Sequence, residues 1–317
     1  MATYKEIHGV NVQYRESDAT AIEGDVWYNA STGKLKMYSA LGSWASGGTM
    51  NTGASLITGT GSQTAGLSAG GEVGPPSTYG NSEEYNGSTW TAGGNLTSAR
   101  AQLASTGSAG SQTAALCFLG RTAPAAVALV EQYDGSTWTE IADCNTARRE
   151  SPGGSGTTTA CVAFAGGEAL AITESWNGTS WTEVADLNTG REYVADAGDS
   201  GTSALCIGGG PTVTDVVETW NGTSWTEVGD LNTARKILSG AGGTTAALAF
   251  GGGPPNVAIT EEWNGSSWAE VADLPTAKTD GAGTGTSSLA LSFGGGGPVD
   301  TTEEWSMAAA VQTVAFD

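Results

Sequence analysis

A phrase of about eight residues recurs along the chain, and its period constrains the fold more than any other feature. The phrase reads Glu-x-aromatic-Asn/Asp-Gly-Ser/Thr-Ser/Thr-Trp, and successive copies of its first aromatic residue lie 48, 43, 44, 43 and 42 residues apart. These aromatic residues are Tyr85, Tyr133, Trp176, Trp220, Trp263 and, in a truncated last copy, Trp305. A period of just over forty residues is typical of a four-stranded propeller blade. The repeat therefore predicts an all-β fold, a six-bladed β-propeller.

Each repeat carries signals for four strands. The Asn-Gly or Asp-Gly pair predicts a hairpin between the third and fourth strands, because both residues tolerate a positive φ. A linker such as residues 186–191 then leads to the first strand of the next blade, and the second strand is an apolar run that ends in glycines. Large and small residues alternate along this second strand. Such alternation predicts a sheet with one bulky face and one small face, packed between neighbouring sheets.

The order of the strands predicts how the ring closes. Trp44 matches the fourth-strand tryptophans, and residues 50–55 match the linkers. We therefore expect the strand at Trp44 to complete the last blade, beside the strand that ends at Trp305, which removes an open sheet edge. The predicted parts are an N-terminal docking segment with a β-hairpin (residues 1–39), the propeller (40–306) and a C-terminal tail (307–317).

The four cysteines fit the same alignment. Cys117, Cys161 and Cys206 occupy small-residue positions of second strands, and Cys144 replaces a linker leucine. Facing sheets hold such positions too far apart for a disulfide, so we predict free, buried thiols.

Charge and hydropathy exclude several classes of partner. The chain has 12 basic and 33 acidic residues and a formal net charge of −21, which repels nucleic acid and anionic membranes. This charge either serves solubility or favours cations and neutral partners such as glycans. The chain has no run of 18 apolar residues, so we predict no membrane insertion. The N-terminus also has no apolar signal-peptide core. We expect synthesis in a cytoplasm.

Two sets of charged residues recur with the repeat. A glutamate lies two residues before each third-strand aromatic, and a cation begins five of the six first strands, with Ala54 at the remaining position. The cations are Arg100, Arg148, Arg191, Arg235 and Lys278. One interpretation is a basic collar at one channel mouth that holds an anion. The other is one exposed ion pair per blade, contributing at most about 1 kcal/mol each.

The sequence offers no set of residues for catalysis. Its single histidine, His8, lies near the N-terminus, so a histidine triad or a histidine-rich metal site inside the ring is excluded. We predict no enzymatic activity, no metal and no cofactor. For binding, the longest loops between second and third strands are residues 72–82 and 121–129. Pro75, Pro76, Tyr79 and Arg121 in these loops, with the cations named above, are the predicted binding residues.

The repeat resembles that of kelch propellers. A glycine pair ends the second strand, as at Gly166-Gly167, and the aromatic residue and tryptophan of the next two strands follow. The resemblance covers residues 44–306, and only the second repeat departs, with the single Gly120. It implies a binding scaffold, and one hypothesis is an intracellular protein-interaction scaffold of kelch type.

A second resemblance concerns residues 24–44, GDVWYNASTGKLKMYSALGSW. This segment is similar to hairpins near the chain ends of bacteriophage tail and virion proteins. Lys36 stands where every blade has glutamate, which sets this strand apart from the blades. The resemblance implies a virion protein in a tail, fibre or capsid decoration that binds other virion proteins through residues 1–39. Host surface glycan or protein would be its target, and it could form a homo-oligomer.

Overall fold

The computed structural model describes residues 13–18, 25–74 and 77–313. In these residues the chain forms 28 strands and one short 3-10 turn, Gly107–Ala109. Two compact units are present: unit 1 comprises Met1–Ser43 with Ser306–Asp317, and unit 2 comprises Trp44–Trp305. The predicted all-β class is confirmed. The predicted boundaries at residues 39/40 and 306/307 both fall inside strands.

Unit 2 is a propeller-like series of sheets that follow one another along the chain. We number these sheets in chain order from β4, the first strand of sheet 1. Sheets 1 to 5 are each four-stranded and antiparallel, and each runs in sequence order from its first strand to its fourth. Sheet 6 takes its first three strands from the C-terminal end of the chain and its fourth from the N-terminal end.

The strand bounds follow this order. First strands are β4 (Thr58–Ser62), β8 (Ala104–Ser105), β14 (Gly153–Thr157), β18 (Ala195–Ser200), β22 (Ser239–Gly242) and β26 (Ala282–Gly285). Second strands are β5 (Ala65–Ala69), β9 (Ala115–Phe118), β15 (Ala160–Phe164), β19 (Ser203–Ile207), β23 (Ala247–Phe250) and β27 (Leu289–Phe293). Third strands are β6 (Ser82–Tyr85), β12 (Val130–Tyr133), β16 (Thr173–Trp176), β20 (Val217–Trp220), β24 (Thr260–Trp263) and β28 (Thr302–Thr313). Fourth strands are β7 (Trp90–Ala92), β13 (Trp138–Glu140), β17 (Trp181–Glu183), β21 (Trp225–Glu227), β25 (Trp268–Glu270) and β3 (Lys34–Ser46). The remaining strands are β1 (Gln13–Arg15), β2 (Val26–Asn29), β10 (Arg121–Thr122) and β11 (Ala125–Ala126).

The N-terminal strand at Trp44 lies where the sequence predicts it. β3 is the neighbour of β28, and the rings of Trp44 and Trp305 are 5.4 Å apart. Just after β3, the amide of Gly47 donates to the carbonyl of Thr302 at 2.8 Å. This placement confirms the prediction that strands from both chain ends share a sheet.

The core of unit 2 is built from contacts between consecutive sheets. Val162 and Phe164 of sheet 3 pack against Ala204, Cys206 and Trp225 of sheet 4, so a bulky face meets a small face and a tryptophan. The rings of Phe164 and Trp225 are 4.8 Å apart in an edge-on arrangement. Comparable clusters join sheet 6 to sheet 1 and sheet 5 to sheet 6. The alternation seen in the sequence therefore specifies how neighbouring sheets pack.

The first strand of sheet 2 departs from the others. β8 has only two residues, and the chain then forms the 3-10 turn, which contacts the first strands β4, β14, β18, β22 and β26. Thr60 bonds to Thr106 at 3.0 Å and to the carbonyl of Gly107 at 2.8 Å, and Ser108 accepts from the amide of Gly242 at 3.2 Å. These bonds hold the turn among the first strands.

Unit 1 contains the hairpin formed by β2 and β3, and β1 lies parallel to β2 at the sheet edge. The hairpin turns at Gly33, whose φ of +68° favours glycine, and Asn29 accepts from the amide of Thr32 at 2.9 Å. β28 lies beside β3 in this unit as well, where Lys36 donates to Thr313 at 2.7 Å.

All four cysteines are free and buried, as predicted. Burial raises the pKa of Cys117 and that of Cys206 to about 12, so both thiols stay protonated and unreactive. Within the described parts of the chain, no helix has the length and apolar character needed to cross a membrane.

Candidate functional site

The five repeated cations form buried ion pairs within their own sheets. The pairs are Arg100–Glu131 (3.0 Å), Arg148–Glu174 (3.0 Å), Arg191–Glu218 (3.0 Å), Arg235–Glu261 (2.8 Å) and Lys278–Glu303. None of these ten side chains is more than 7% exposed. The expectation of exposed pairs is wrong, and the pairing interpretation is favoured over the anion-holding collar. The cations also lie in the linkers before the first strands rather than within them.

Arg148 shows how such a cation is held. Its Nη1 donates to the carbonyls of Ala165 (3.0 Å) and Ile172 (2.8 Å), and its Nη2 donates to Glu174. The other oxygen of Glu174 accepts from the backbone and side-chain amides of Asn145, at 2.6 and 2.8 Å. Burial lowers the pKa of Arg148, and the charge of Glu174 opposes this shift. The guanidinium therefore ties the linker to the ends of two strands, and these donors point into the sheet.

Sheet 1 keeps the same linker anchor without a cation. Glu83 is 4% exposed and accepts from the backbone amide of Asn51 (2.8 Å), from its side-chain amide (2.9 Å) and from the amide of Thr52 (2.9 Å). The position of the missing cation is occupied by Ala54. The glutamate thus orders the linker even where it has no charged partner of the repeated kind.

The residue two positions after each cation, and after Ala54 in sheet 1, adopts a left-handed backbone conformation. Its φ lies between +53° and +67° in all six linkers, at Leu56, Gln102, Glu150, Tyr193, Ile237 and Asp280. The amide of Tyr193 donates to the carbonyl of Glu150 (2.7 Å), that of Ile237 to Tyr193 (2.9 Å), and that of Leu56 to Asp280 (2.8 Å). The amide of Gln102 donates to the carbonyl of Leu56 (3.0 Å), and that of Asp280 to Ile237 (3.4 Å). Because the strained conformation recurs in every linker, it belongs to the architecture rather than to one site.

The six linkers and first strands enclose a cavity of about 60 Å³. It has room for about two water molecules and is far below the roughly 300 Å³ of a ligand pocket. Asp196 and Asp280 line it. Burial raises the pKa of Asp196 to about 7, against the opposing effect of the Gly154 amide. Asp196 as a whole residue is half-buried.

Five half-buried side chains on these linkers form a polar group that we call the linker cluster: Arg149, Glu150, Glu192, Tyr193 and Lys236. Lys236 Nζ lies 5.6 Å from the centre of the Tyr193 ring, and Arg149 Nε lies 3.6 Å from Glu150 Oε1. Burial, followed by the neighbouring Glu150, raises the pKa of Glu192. The cluster therefore offers two cations, two carboxylates and one aromatic ring within a small area.

Backbone amides hold the two carboxylates of the linker cluster in place. Glu150 accepts from the amide of Glu168 at 3.2 Å, and Glu192 accepts from that of Ala169 at 3.3 Å. Both donors have positive φ, at +58° and +56°. Gln102 donates to the Tyr193 hydroxyl at 3.4 Å. These hydrogen bonds fix the positions of the two carboxyl groups and of the Tyr193 ring.

The predicted loop residues are only partly placed. Arg121 forms an ion pair with Glu72, which joins the two longest loops, and Arg121 keeps 15% of its side chain exposed. Tyr79 is half-buried, and its hydroxyl is enclosed without a hydrogen-bond partner among the described residues. Pro75 and Pro76 lie outside the described residues. Binding by Tyr79 and Arg121 stays a prediction.

The linker cluster was not predicted from the sequence. Its members lie one or two positions after the repeated cations, as Arg149 and Glu150 follow Arg148. At these two positions the six repeats carry unrelated residues, whereas the preceding cation hardly varies. Such variation beside a repeated structural residue is the signal that could have identified the cluster.

In the described part of the chain, no group of three or more His, Cys, Asp or Glu side chains is arranged to hold a metal ion. His8 lies outside that part. The chain matches no known protein-family model and no curated protein.

Proposed function

We propose that the chain is a non-enzymatic phage virion structural protein, in which a six-bladed, kelch-like propeller recognises a surface glycan or protein on the host. The N-terminal unit attaches it to other virion proteins in a tail, a fibre or a capsid decoration. The observation that carries the recognition proposal is the linker cluster, a set of variable side chains on a repeated frame.

The ring of six blades is supported by contacts that follow one cyclic order. First strands contact each other from β4 through β8, β14, β18 and β22 to β26, and β26 contacts β4. The backbone bonds between left-handed linker residues follow the same order, with five bonds among six linkers. A closed ring accounts for a core cluster between sheet 6 and sheet 1 that is comparable to those between consecutive sheets.

Recognition of a neutral ligand is supported by the few unpaired positive charges near the linker cluster, on what we call the linker face. Five of the eight cations in unit 2 are consumed in buried pairs, and Arg121 is paired with Glu72. Arg149 and Lys236 lie beside carboxylates, so the face has little net positive charge for an anion. Carboxylates accept sugar hydroxyls and a tyrosine ring packs on a sugar, which favours a glycan.

A glycan array tests the recognition proposal. The full chain is compared with a Glu192→Gln/Tyr193→Ala variant and with variants whose loops 72–82 and 121–129 are replaced. A matched control is Thr226→Ala, an exposed residue of β21. We expect binding that falls at least about tenfold in the cluster variant and is unchanged in the control. Binding unaffected by every one of these changes would remove both the cluster and the loops from the proposal.

Particle composition tests the virion assignment. Mass spectrometry of purified particles should detect the chain at a fixed ratio to a major structural protein. The alternative, an intracellular interaction scaffold, predicts that the chain stays in the lysate and is absent from washed particles. The kelch-like repeat alone is compatible with both, whereas the resemblance of residues 24–44 to virion proteins favours the first.

A further inference from the structure

One face of the unit 1 sheet carries an exposed row of apolar side chains. Tyr14, Tyr28 and Leu35 are directly opposite one another on β1, β2 and β3, and Val26 is opposite Met37 in the adjacent row. Tyr14 is 74% exposed and Tyr28 39% exposed, and their rings stack 5.7 Å apart. Exposed apolar patches of this kind mark interaction surfaces on soluble proteins.

The row extends further along the same strand. Leu41 is four residues beyond Met37 on β3 and is 55% exposed, and strand alternation places it on the same face. At the other end of the sheet, β1 is an edge strand with only one neighbour among the described strands. The surface thus combines an apolar face with a free strand edge, two features that favour association.

The opposite face of the sheet is closed by polar contacts. Trp27 is fully buried there, with Arg15 stacked on its ring at 5.1 Å and Asp18 accepting from its indole N–H at 3.1 Å. Asp18 also accepts from Asn29, and Arg15 pairs with Asp25 at 2.8 Å. These contacts occupy the opposite face in the described part of unit 1, whereas the face with Tyr14, Tyr28 and Leu41, which we call the outer apolar face, is exposed.

Charge indicates which partner fits. Unit 2 contains 8 basic and 27 acidic residues, so it carries a net charge of −19. Unit 1 contains 4 basic and 6 acidic residues, so it carries a net charge of only −2. Two copies of the chain repel each other strongly through unit 2 and far less through unit 1, where the charge is nearly balanced.

We propose that a second copy of this chain binds the outer apolar face of unit 1, with the tyrosine rows of the two copies packed together. Such a self-complementary patch is the usual basis of a symmetric homo-oligomer. This association goes beyond the proposed function and does not depend on it. It brings two or more copies of unit 2 into one assembly and multiplies weak binding through avidity.

Sedimentation velocity of the full chain tests the proposal. The protein is measured at about 1 μM and about 100 μM, a range that brackets a micromolar Kd. The test variant is Tyr14→Lys/Tyr28→Lys, and the matched control is Thr32→Lys in the exposed hairpin turn of the same unit. Far-ultraviolet circular dichroism checks that each variant keeps its strands.

We expect the unaltered chain and the control to sediment as an oligomer at the higher concentration and the double variant as a monomer. Association should strengthen when salt is raised from about 0.01 M to about 0.15 M, because salt screens the repulsion between the acidic units. A monomer at both concentrations, or a double variant that associates like the unaltered chain, would overturn the proposal. A monomer that is nevertheless recovered on purified particles would also overturn it, because another virion protein then occupies the face, while the proposed function would stand.

Discussion

The indole N–H of Trp225 on sheet 4 donates a hydrogen bond to the hydroxyl of Thr173 on sheet 3 at 2.9 Å, and both residues are buried. The equivalent bond joins Trp90 to Thr302 at 2.9 Å. Two tryptophans at this position, Trp181 and Trp268, have no partner for the indole N–H among the described residues. Their core clusters contain valines, Val130 and Val217, where the other sheets have threonine or serine. One side-chain atom on the preceding sheet thus decides whether the buried N–H is satisfied.

Replacing these valines should stabilise the protein. Threonine is nearly the size of valine, and in Val217→Thr its hydroxyl can accept from the indole N–H of Trp268. We expect the free energy of unfolding to rise by about 0.5–1.5 kcal/mol. The reverse change, Thr173→Val, should lower it by about 1–3 kcal/mol because the Trp225 N–H loses its acceptor. Urea denaturation of both variants checks the pair. Equal destabilisation by both would mean that packing, rather than the hydrogen bond, decides.

Two adjacent arginines should differ greatly in their effect on stability. Arg148→Met leaves Glu174 buried without its cation, and we expect a loss of about 3–5 kcal/mol. Arg149→Met removes a half-exposed partner of Glu150 and should change stability by less than about 1 kcal/mol. Guanidinium denaturation of the two variants compares them directly. A similar small effect at both positions would contradict the structural role assigned to the repeated pairs.

Stability should fall as pH rises through the range set by Asp196. The folded-state pKa is about 7, whereas an unfolded aspartate titrates near 3.9, so the unfolded state loses its proton first. The contribution of this group is therefore favourable below about pH 4, declines up to about pH 7 and stays unfavourable above it. We compare the free energy of unfolding of Asp196→Asn with that of the unaltered protein. This difference should favour the variant by at least about 1 kcal/mol more at pH 8 than at pH 4.5.

The control for this pH effect is Glu227→Gln, which alters an exposed carboxylate of β21. Thermal unfolding at the two pH values should show a pH-dependent difference for Asp196→Asn and little for Glu227→Gln. A constant difference for Asp196→Asn across this range would show that the carboxyl is already ionised in the folded protein.

Glycine at the middle of a first strand permits close approach of the next sheet. A Cβ at Gly240 would overlap the carbonyl oxygen of Asp196 on the neighbouring first strand, whereas one at Gly74 meets nothing within 4 Å. We expect Gly240→Ala to destabilise by roughly 2–3 kcal/mol and Gly74→Ala by less than about 0.5 kcal/mol. Melting temperatures of the two variants test this, and a tolerated Gly240→Ala would mean that neighbouring sheets can separate.

Periodicity was sufficient to predict the sheets. The alternation around Val162 and Phe164 identifies the bulky face, and the match of Trp44 to the fourth-strand tryptophans identifies its sheet, because both patterns are local and repeated. The 3-10 turn could not be placed in the same way. The spacing of 48 residues between Tyr85 and Tyr133 reveals extra residues, but not that they contact the first strands of five other sheets.

Burial of the ion pairs was equally inaccessible. An arginine such as Arg191 repeats with the same spacing whether it faces solvent or the interior. Its enclosure depends on the carbonyls of Gly208 and Val216, which come from two different strand ends. The linker cluster was missed for a related reason: Tyr193 and Lys236 are 43 residues apart and meet only because neighbouring linkers lie side by side.

The pairing of β3 with β28 also sets the order in which the chain can fold. Trp44 leaves the ribosome 261 residues before its partner Trp305. Sheets 1 to 5 each use a contiguous stretch of chain and can form during synthesis, whereas sheet 6 waits until β28 has emerged. Until then β3 has an unpaired edge, and the bulky face of sheet 5 lacks its cover, so the nascent chain is most prone to aggregate before sheet 6 forms.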